Sequence, residues 1–534
     1  MHTWERGANT MTGGEILIQC LKRYGVRTIF GIPGYHNLPI YDALYRNGDI
    51  QSVVACHEAG AAFMADGFAR ATGDVGVCLT TAGPGVTNAA TGLGEAYADS
   101  VPILLMNGDV RSEAIGKEIG AYHEMDLLTF TRPLTKWNGM ALRVEEIPDL
   151  VDKAFESLNT GRPRPVHLSI PVDVLKANGE LAIPDRHSWG KSPIEEETIE
   201  RAIDKIFASR RPLILAGGGT IASNASRELI ALAEALGAPA LFTRMGKGAI
   251  QEDHPLCFGY SRTKTSGDLI QESDCMIALG VRFTDLSRES WQKPPRGLIH
   301  VNIDSREMGK IYPPEVAVVG DVKLFLLHVI EQLRGRKYSP DHQWQEALSQ
   351  LKKEIEQKGS SSRRRIFDAR DLREVLPRDA IVSVDVCVPG YAMFSEFQVY
   401  EPRTYFAPTL FIAMGYGLPA AIGAKVAFPE RVTVSVSGNG GFLMTCGELA
   451  TAKKYSLGVI SIVINDSCYH SIKLMQDADY GGRRIGIDLQ PIDFVKLAEA
   501  FEIPGIQVKK AGELKLALEK ALETKGPYLI EVVL

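Results

Sequence analysis

Two short polar clusters carry the residue types and spacing that can hold a charged ligand. The first, Gly438-Asn439-Gly440-Gly441, follows the apolar run of residues 432–436. The second, Asn465-Asp466, closes the apolar run of residues 459–464. Between them, residues 442–455 offer Phe442, Leu449 and Ala452 for a buried helical face. Strand, glycine turn, helix, strand is a βαβ pattern, whose right-handed crossover puts both turns at one carboxyl edge of a parallel sheet. Oxygens of Asn439 and Asp466 can converge there on one hard cation. The helix start beside Gly438, Gly440 and Gly441, whose backbone N–H groups a ligand can approach closely, can receive a phosphate.

The elements that must position these residues fall into three blocks. In residues 11–175 the pattern predicts a helix over 12–24, a strand over 28–30 and a turn through His36. A strand over 53–55 then runs into Cys56-His57-Glu58-Ala59-Gly60, which opens a small-residue helix to residue 71. A strand over 75–80, the turn Thr81-Ala82-Gly83-Pro84-Gly85, a helix over 86–99 and a strand over 103–106 follow. Residues 195–335 contain strands at 212–216, 275–279 and 300–303, with Gly217-Gly218-Gly219 after the first. That triplet could cradle a dinucleotide phosphate, but it lacks the full GxGxxG and a ribose acid, so a structural role is favoured. The third block, 366–534, carries the opening motif and ends on a strand at 528–534. Residues 176–192 and 335–365 read as linkers, the second with a charged helix over 343–358 and a Ser/Arg tract over 360–365. Strands alternating with helices predict an α/β protein of three doubly wound parallel-sheet domains, over residues 1–180, 193–340 and 366–534.

Composition narrows the function. A chain of 534 residues exceeds one hydrophobic core. A net charge of −6 gives no basic surplus for nucleic acid. No apolar run approaches the ~20 residues of a membrane span, and the N-terminus lacks an apolar signal core. Eight scattered cysteines without a CxxC pair read as free thiols of a cytoplasmic protein.

The opening unit resembles the metal–diphosphate motif of thiamine-diphosphate-dependent enzymes, Gly-Asp-Gly followed by Asn-Asn or a variant. Cys56-His57-Glu58-Ala59-Gly60-Ala61-Ala62-Phe63-Met64-Ala65-Asp66-Gly67 is similar to that family's catalytic-glutamate segment. Gly83-Pro84-Gly85-Val86-Thr87-Asn88 and Ala413-Met414-Gly415-Tyr416-Gly417 are similar to two others. Over nearly the whole chain the resemblance is to the acetolactate-synthase-like and 2-oxo acid decarboxylase group. It implies pyrimidine-binding, middle and diphosphate-binding domains in that order. It makes Glu58 the carboxyl that activates thiamine diphosphate, Met414 the wedge between the cofactor's rings and Ile412 a backbone-carbonyl contact. Gly438, Gly440 and Gly441 meet the diphosphate. Mg²⁺ is expected on the Asn439 amide, the Asp466 carboxylate and the Cys468 backbone carbonyl. Asn439 departs from the usual Asp, Ile412 from a frequent Gly, and Cys387 and Val388 are poorer diphosphate donors than is usual. The family works as dimers of active sites, so a homodimer or homotetramer is expected.

The resemblance also implies decarboxylation of a small-molecule 2-oxo acid through an enamine/carbanion intermediate. That intermediate is then protonated to an aldehyde or joined to an aldehyde or oxo-acid acceptor. His36 is the first candidate proton donor, and His123 and His470 are lesser ones. His57 is expected to be structural. After Asp253-His254-Pro255-Leu256 the chain lacks the Gly-Met-His-Gly stretch of flavin-bearing acetolactate synthases, which argues against FAD. It also stops at its last strand, and Met475 stands where those synthases often have Trp. A flavin-free decarboxylase or carboligase is therefore the leading expectation. Pyruvate condensation of the acetolactate synthase type and a non-catalytic binding subunit are the alternatives.

Overall fold

Apolar runs closed by glycine or a polar residue become the strands of three sheets. The computed structural model describes residues 10–180, 185–191, 193–284, 291, 293–335, 338–361 and 365–534. Residues 1–9 of the N-terminal stretch, 181–184 and 192 of the first linker, and 362–364 of the Ser/Arg tract lie outside the described residues.

Among the described residues each of these sheets has six strands, all paired parallel. The first runs, edge to edge, Gln51–Val54, Thr28–Gly31, Gly76–Thr80, Ile103–Asp109, Val166–Pro171, Trp137–Met140. The third repeats that winding with Tyr405–Phe406, Ile381–Val384, Thr433–Gly438, Val459–Asn465, Tyr528–Val533, Gly505–Val508. The middle sheet is wound differently, as Cys257–Tyr260, Ala240–Phe242, Pro212–Ala216, Cys275–Leu279, Ile299–Asn302, Val316–Val319. Central strands such as Ile103–Asp109 and Val459–Asn465 are buried throughout, as parallel strands covered on both faces must be. The fold is therefore the expected doubly wound α/β type. In each sheet the winding reverses between two neighbouring strands, and ligands of such sheets bind outside the carboxyl ends at that crevice.

The first and third sheets are joined by their helices. Helix Glu58–Thr72 lies on helix Gly417–Ala427 at a spacing only glycine permits. A Cβ on Gly67 would stand 2.1 Å from the Ala420 carbonyl oxygen, and one on Gly423 1.9 Å from that of Met64. Beside this contact, buried Arg70 pairs with Asp66 at 2.5 Å and Asp99 at 3.1 Å. Tyr416 donates its hydroxyl to Asp66 at 2.7 Å. Removing Arg70 would leave two buried carboxyls without their cation, and breaking a buried ion pair in this way costs about 3–5 kcal/mol. No described helix is long and apolar enough to cross a membrane.

Candidate active site

Strands Thr433–Gly438 and Val459–Asn465 pair with Gly438 opposite Ile464, so Asn439 and Asn465 leave the sheet side by side. Asn439 is buried, and its amide nitrogen lies 3.4 Å from Asn465 Oδ1. Asn465 is anchored by donating to Glu531 at 2.7 Å and to the Ile492 carbonyl at 3.1 Å. Ser467 then takes a left-handed φ of 52° and turns the chain back. Asp466 accepts the Cys468 N–H at 3.2 Å through one oxygen and meets His470 Nδ1 at 2.6 Å through the other. Asn439, Asp466 and Cys468 are thereby gathered at one sheet edge. An amide, a carboxylate and a backbone carbonyl are all hard oxygen donors, and the set fits Mg²⁺. Among the described residues no group of three or more His, Cys, Asp or Glu side chains could hold a metal. A cation here therefore depends on this mixed set and on oxygens the ligand brings. Gly440 and Gly441 let the turn sink, since a Cβ would stand 2.5 Å from the Tyr469 ring and 3.1 Å from the Asp385 carboxyl, respectively.

The single helix expected over residues 442–455 is divided into Asn439–Thr445 and Glu448–Lys454. Glycine is a weak helix former, and here tertiary contacts use the break. The Gly447 carbonyl accepts Cys56 Sγ at 3.1 Å, and the Glu448 carboxylate accepts the N–H groups of Cys56 and His57, each at 3.1 Å. Glu448 is buried, which raises its pKa, and Thr451 Oγ1 donates to it at 2.6 Å. This clamp seats the start of helix Glu58–Thr72. His57 caps that helix, its Nδ1 accepting the Ala59 N–H at 3.1 Å, which is structural work as expected. Glu58 itself is half-buried and accepts a hydrogen bond from Asn88 Nδ2 at 3.0 Å.

His36 and Thr81 leave the two neighbouring strands where the first sheet reverses, and His36 Nδ1 lies 3.2 Å from Thr81 Oγ1. The structure also brings His123 here. Its ring centroid is 5.3 Å from that of His36 and stacks on Tyr122 at 4.0 Å. Burial first, then the charge of His123, holds the His36 pKa below its ordinary value. His123 has a left-handed φ of 67°, and its Nδ1 is buried without a partner.

Ile412 and Met414 lie between strand Tyr405–Phe406 and helix Gly417–Ala427. Asp385 supports this segment from beneath, accepting the N–H of Gly415 at 3.2 Å and of Gly417 at 3.1 Å. Burial pushes the Asp385 pKa up to about 6. Thr445 Oγ1 donates to the Gly415 carbonyl at 2.9 Å, joining the segment to the helix of the glycine turn. Ile412 has φ 59°, a left-handed position that a β-branched residue strongly disfavours. Its replacement of the frequent Gly is thus a strained substitution. Ile412→Gly is expected to be more stable than Ile412→Ala by about 1 kcal/mol, because only alanine keeps the Cβ penalty there. Denaturant midpoints of the two variants check this, and the reverse order would mean that φ is negative in solution.

Three features escaped sequence reasoning. The Asp466–His470 pair was signalled by its i,i+4 spacing. Asp385 and Glu448 had no local signal, because the groups they bind lie far along the chain. In the middle sheet the glycine triplet packs on the opposite turn, a Cβ on Gly217 falling 2.3 Å from the Gly280 carbonyl oxygen. A cavity of about 400 Å³ opens beside it, lined by Gly218, Gly219, Arg162, Arg282 and Arg403 among others.

Comparison with known proteins gives the family. Family models of the thiamine pyrophosphate enzymes match three regions: the N-terminal TPP binding domain over residues 11–130, the central domain over 199–329 and the C-terminal TPP binding domain over 387–532. The chain is 37% identical to the probable acetolactate synthase large subunit of Methanocaldococcus jannaschii, over 98% of this chain and 92% of the relative. It is 36% identical to the probable 2-ketoarginine decarboxylase of Pseudomonas aeruginosa, over 98% and 94%. It is 34% identical to acetolactate synthase isozyme 3 large subunit of Escherichia coli, over 96% and 92%. The chain belongs to the thiamine pyrophosphate enzyme family, in its acetolactate-synthase-like group.

Proposed function

We propose that this thiamine-diphosphate enzyme decarboxylates a 2-oxo acid and releases an aldehyde or joins the remaining fragment to an aldehyde or oxo-acid acceptor. The observation that carries the reading is the presence, beyond the carboxyl ends of strands of the first and third sheets, of two complementary residue sets. One is Glu58 held by Asn88, and the other is Asn439, Asp466 and Cys468 beside the Ile412–Met414 segment. Residues 1–180, 193–340 and 366–534 act as pyrimidine-binding, middle and diphosphate-binding domains. When bound, the cofactor supplies a nucleophilic carbon for the 2-oxo acid carbonyl and an electron sink as CO₂ leaves. Glu58 holds a proton at the cofactor's aminopyrimidine. Met414 and the Ile412 carbonyl orient its rings. Gly438, Gly440 and Gly441 receive the diphosphate, and Asn439, Asp466 and Cys468 hold Mg²⁺. His36, kept neutral near pH 7 by its lowered pKa, accepts and returns a proton with His123 beside it.

The reading includes a homodimer or homotetramer in which a second copy covers the site. Helix His470–Asp479 buries none of its residues, and Ile472, Leu474 and Met475 on it are 45%, 49% and 56% exposed. Tyr35, Ile119 and Tyr122 stand exposed on the first-sheet side. Such apolar surface marks an association site. The eight free cysteines suit the cytoplasm, and no flavin is needed.

The test is a screen of 2-oxo acids, aliphatic, aromatic and guanidino-bearing, with added thiamine diphosphate and Mg²⁺, reading CO₂ and organic products. At least one acid is expected to release CO₂. Acetolactate from pyruvate would select the second reading, which the acetolactate synthase relatives favour. Bound cofactor with no CO₂ from any acid would leave only a binding role.

A further inference from the structure

We propose that Glu95 is a positioning residue for this site, holding from the first-sheet side the segment that carries Ile412 and Met414. The proposal rests on the cofactor reading just given. Glu95 lies on helix Pro84–Asp99 and is fully buried. Its Oε2 accepts the Ala413 N–H at 2.9 Å. One turn further along the same helix, Asp99 accepts the Thr409 N–H at 3.1 Å and also the Thr409 hydroxyl. Gly94 leaves room for Phe411, whose ring would stand 2.7 Å from a Cβ there. One helix end therefore grips residues 409, 411 and 413.

The residue between the last two grips is Ile412, at φ 59°. Strain of about 1–3 kcal/mol at such a residue persists only where the surroundings over-determine it. The Ala413 N–H and the Ile412 carbonyl also belong to one planar trans peptide, so the two groups point in opposite directions. A carboxyl that captures the N–H on one side therefore sets the direction of the carbonyl on the other. Glu95 reaches a cofactor contact through the backbone without touching the cofactor.

The surrounding charges explain why this carboxyl makes a weakly charged, steady tie. Facing it are Asp99 on its own helix, Arg70 on helix Glu58–Thr72, where Arg70 also pairs with Asp66, and Tyr416 at the start of helix Gly417–Ala427. Arg70 serves Asp66 and Asp99, while Glu95 Oε1 is buried without a donor and faces the Asp99 carboxylate. Burial, then the charge of Asp99, pushes the Glu95 pKa up to about 8, against the pull of Arg70 and the Ala413 N–H. Near neutrality Glu95 is thus an uncharged acid. Its folded pKa lies above the unfolded one, so its contribution to stability is full at acid pH and is lost as pH rises from the carboxylate range to 8. Glutamine keeps the amide-accepting oxygen and removes this titration.

The full-length Glu95→Gln and Glu95→Leu proteins are compared with wild type in two measurements. One is backbone amide hydrogen–deuterium exchange of the peptide covering residues 409–416 without cofactor. The other is exchange of the C2 proton of thiamine diphosphate at saturating cofactor and Mg²⁺. Glu95→Gln is expected to match wild type in both near neutral pH and to flatten the fall in stability toward pH 8. Glu95→Leu is expected to lose protection in 409–416, with helix Glu58–Thr72 still protected, and to slow C2 exchange by roughly 10- to 100-fold. If the leucine protein does not fold, Glu95→Asp, too short to reach Ala413, replaces it with the same expectation. Wild-type C2 exchange in the leucine or aspartate protein overturns the proposal. So does slowed C2 exchange with 409–416 still protected, because the effect then bypasses the segment. A wild-type protein that binds the cofactor but shows no C2 exchange would instead overturn the cofactor reading, whatever the segment does.

Discussion

Glu58→Gln protein exchanges the C2 proton of bound thiamine diphosphate more slowly than wild type by about 10²- to 10⁴-fold, the range of a lost acid–base group. Cofactor affinity stays close to wild type. The geometry predicts this separation of effects. Glu58 is placed by its backbone: Glu448 clamps the N–H groups of Cys56 and His57, and His57 caps the helix that Glu58 opens. None of these contacts uses the Glu58 side chain. Glutamine has the same shape and can still accept the Asn88 hydrogen bond. What it cannot do is exchange a proton with the aminopyrimidine. The measurement is C2 hydrogen–deuterium exchange by NMR after acid quench, beside a cofactor titration. Wild-type exchange in the variant would remove Glu58 from this role. Slow exchange caused only by lost binding would reduce it to a binding residue.

Asp466→Asn protein loses Mg²⁺-dependent cofactor binding by more than the ~10–100-fold that a merely supporting residue costs. Asn439 brings an amide where the family usually has a carboxylate, so Asp466 is the charged oxygen of the set. Replacing it leaves two amides and a carbonyl for a cation that prefers charged oxygen. The same change removes the carboxylate that holds the Cys468 N–H and His470. The loop that presents the Cys468 carbonyl is then less well fixed. Asn439→Asp acts in the opposite sense and tightens binding or leaves it unchanged. Among the described residues, the side-chain bond it gives up is the long 3.4 Å contact to Asn465. Cofactor affinity titrated against Mg²⁺ for both variants decides the matter. If Asp466→Asn binds like wild type, Asp466 does not offset Asn439, and the glycine turn is better understood as a site that has lost its metal.

The strands were legible where an apolar run meets glycine or a polar residue. Pro212–Ala216 and Cys275–Leu279 form at the residues the pattern marks, because burial on both faces makes each run continuous and the following glycine ends it. Helix ends were less legible. Residues 442–455 look like one helix because Phe442, Leu449 and Ala452 do share the core. The break at Cys446-Gly447 is chosen by Cys56 and His57, which no local window contains.

The sequence by itself determined the α/β architecture, and it named the candidate site residues and divided them between the first and third blocks. These depend on hydrophobic periodicity and on short motifs, both local properties of a chain. Only the tertiary structure decided that Ile412 is left-handed, that His36 and His123 share one cluster, and that Glu448, Asp385 and Glu95 hold the backbone of the site. Each of those three carboxyls sits in an ordinary helix or strand end, and Glu448 and Glu95 bind amides more than 300 residues away. A hydrogen bond between such distant groups leaves no periodic trace in the sequence. It exists because two glycine-bearing helices, Glu58–Thr72 and Gly417–Ala427, approach closely enough to bring the two blocks into contact.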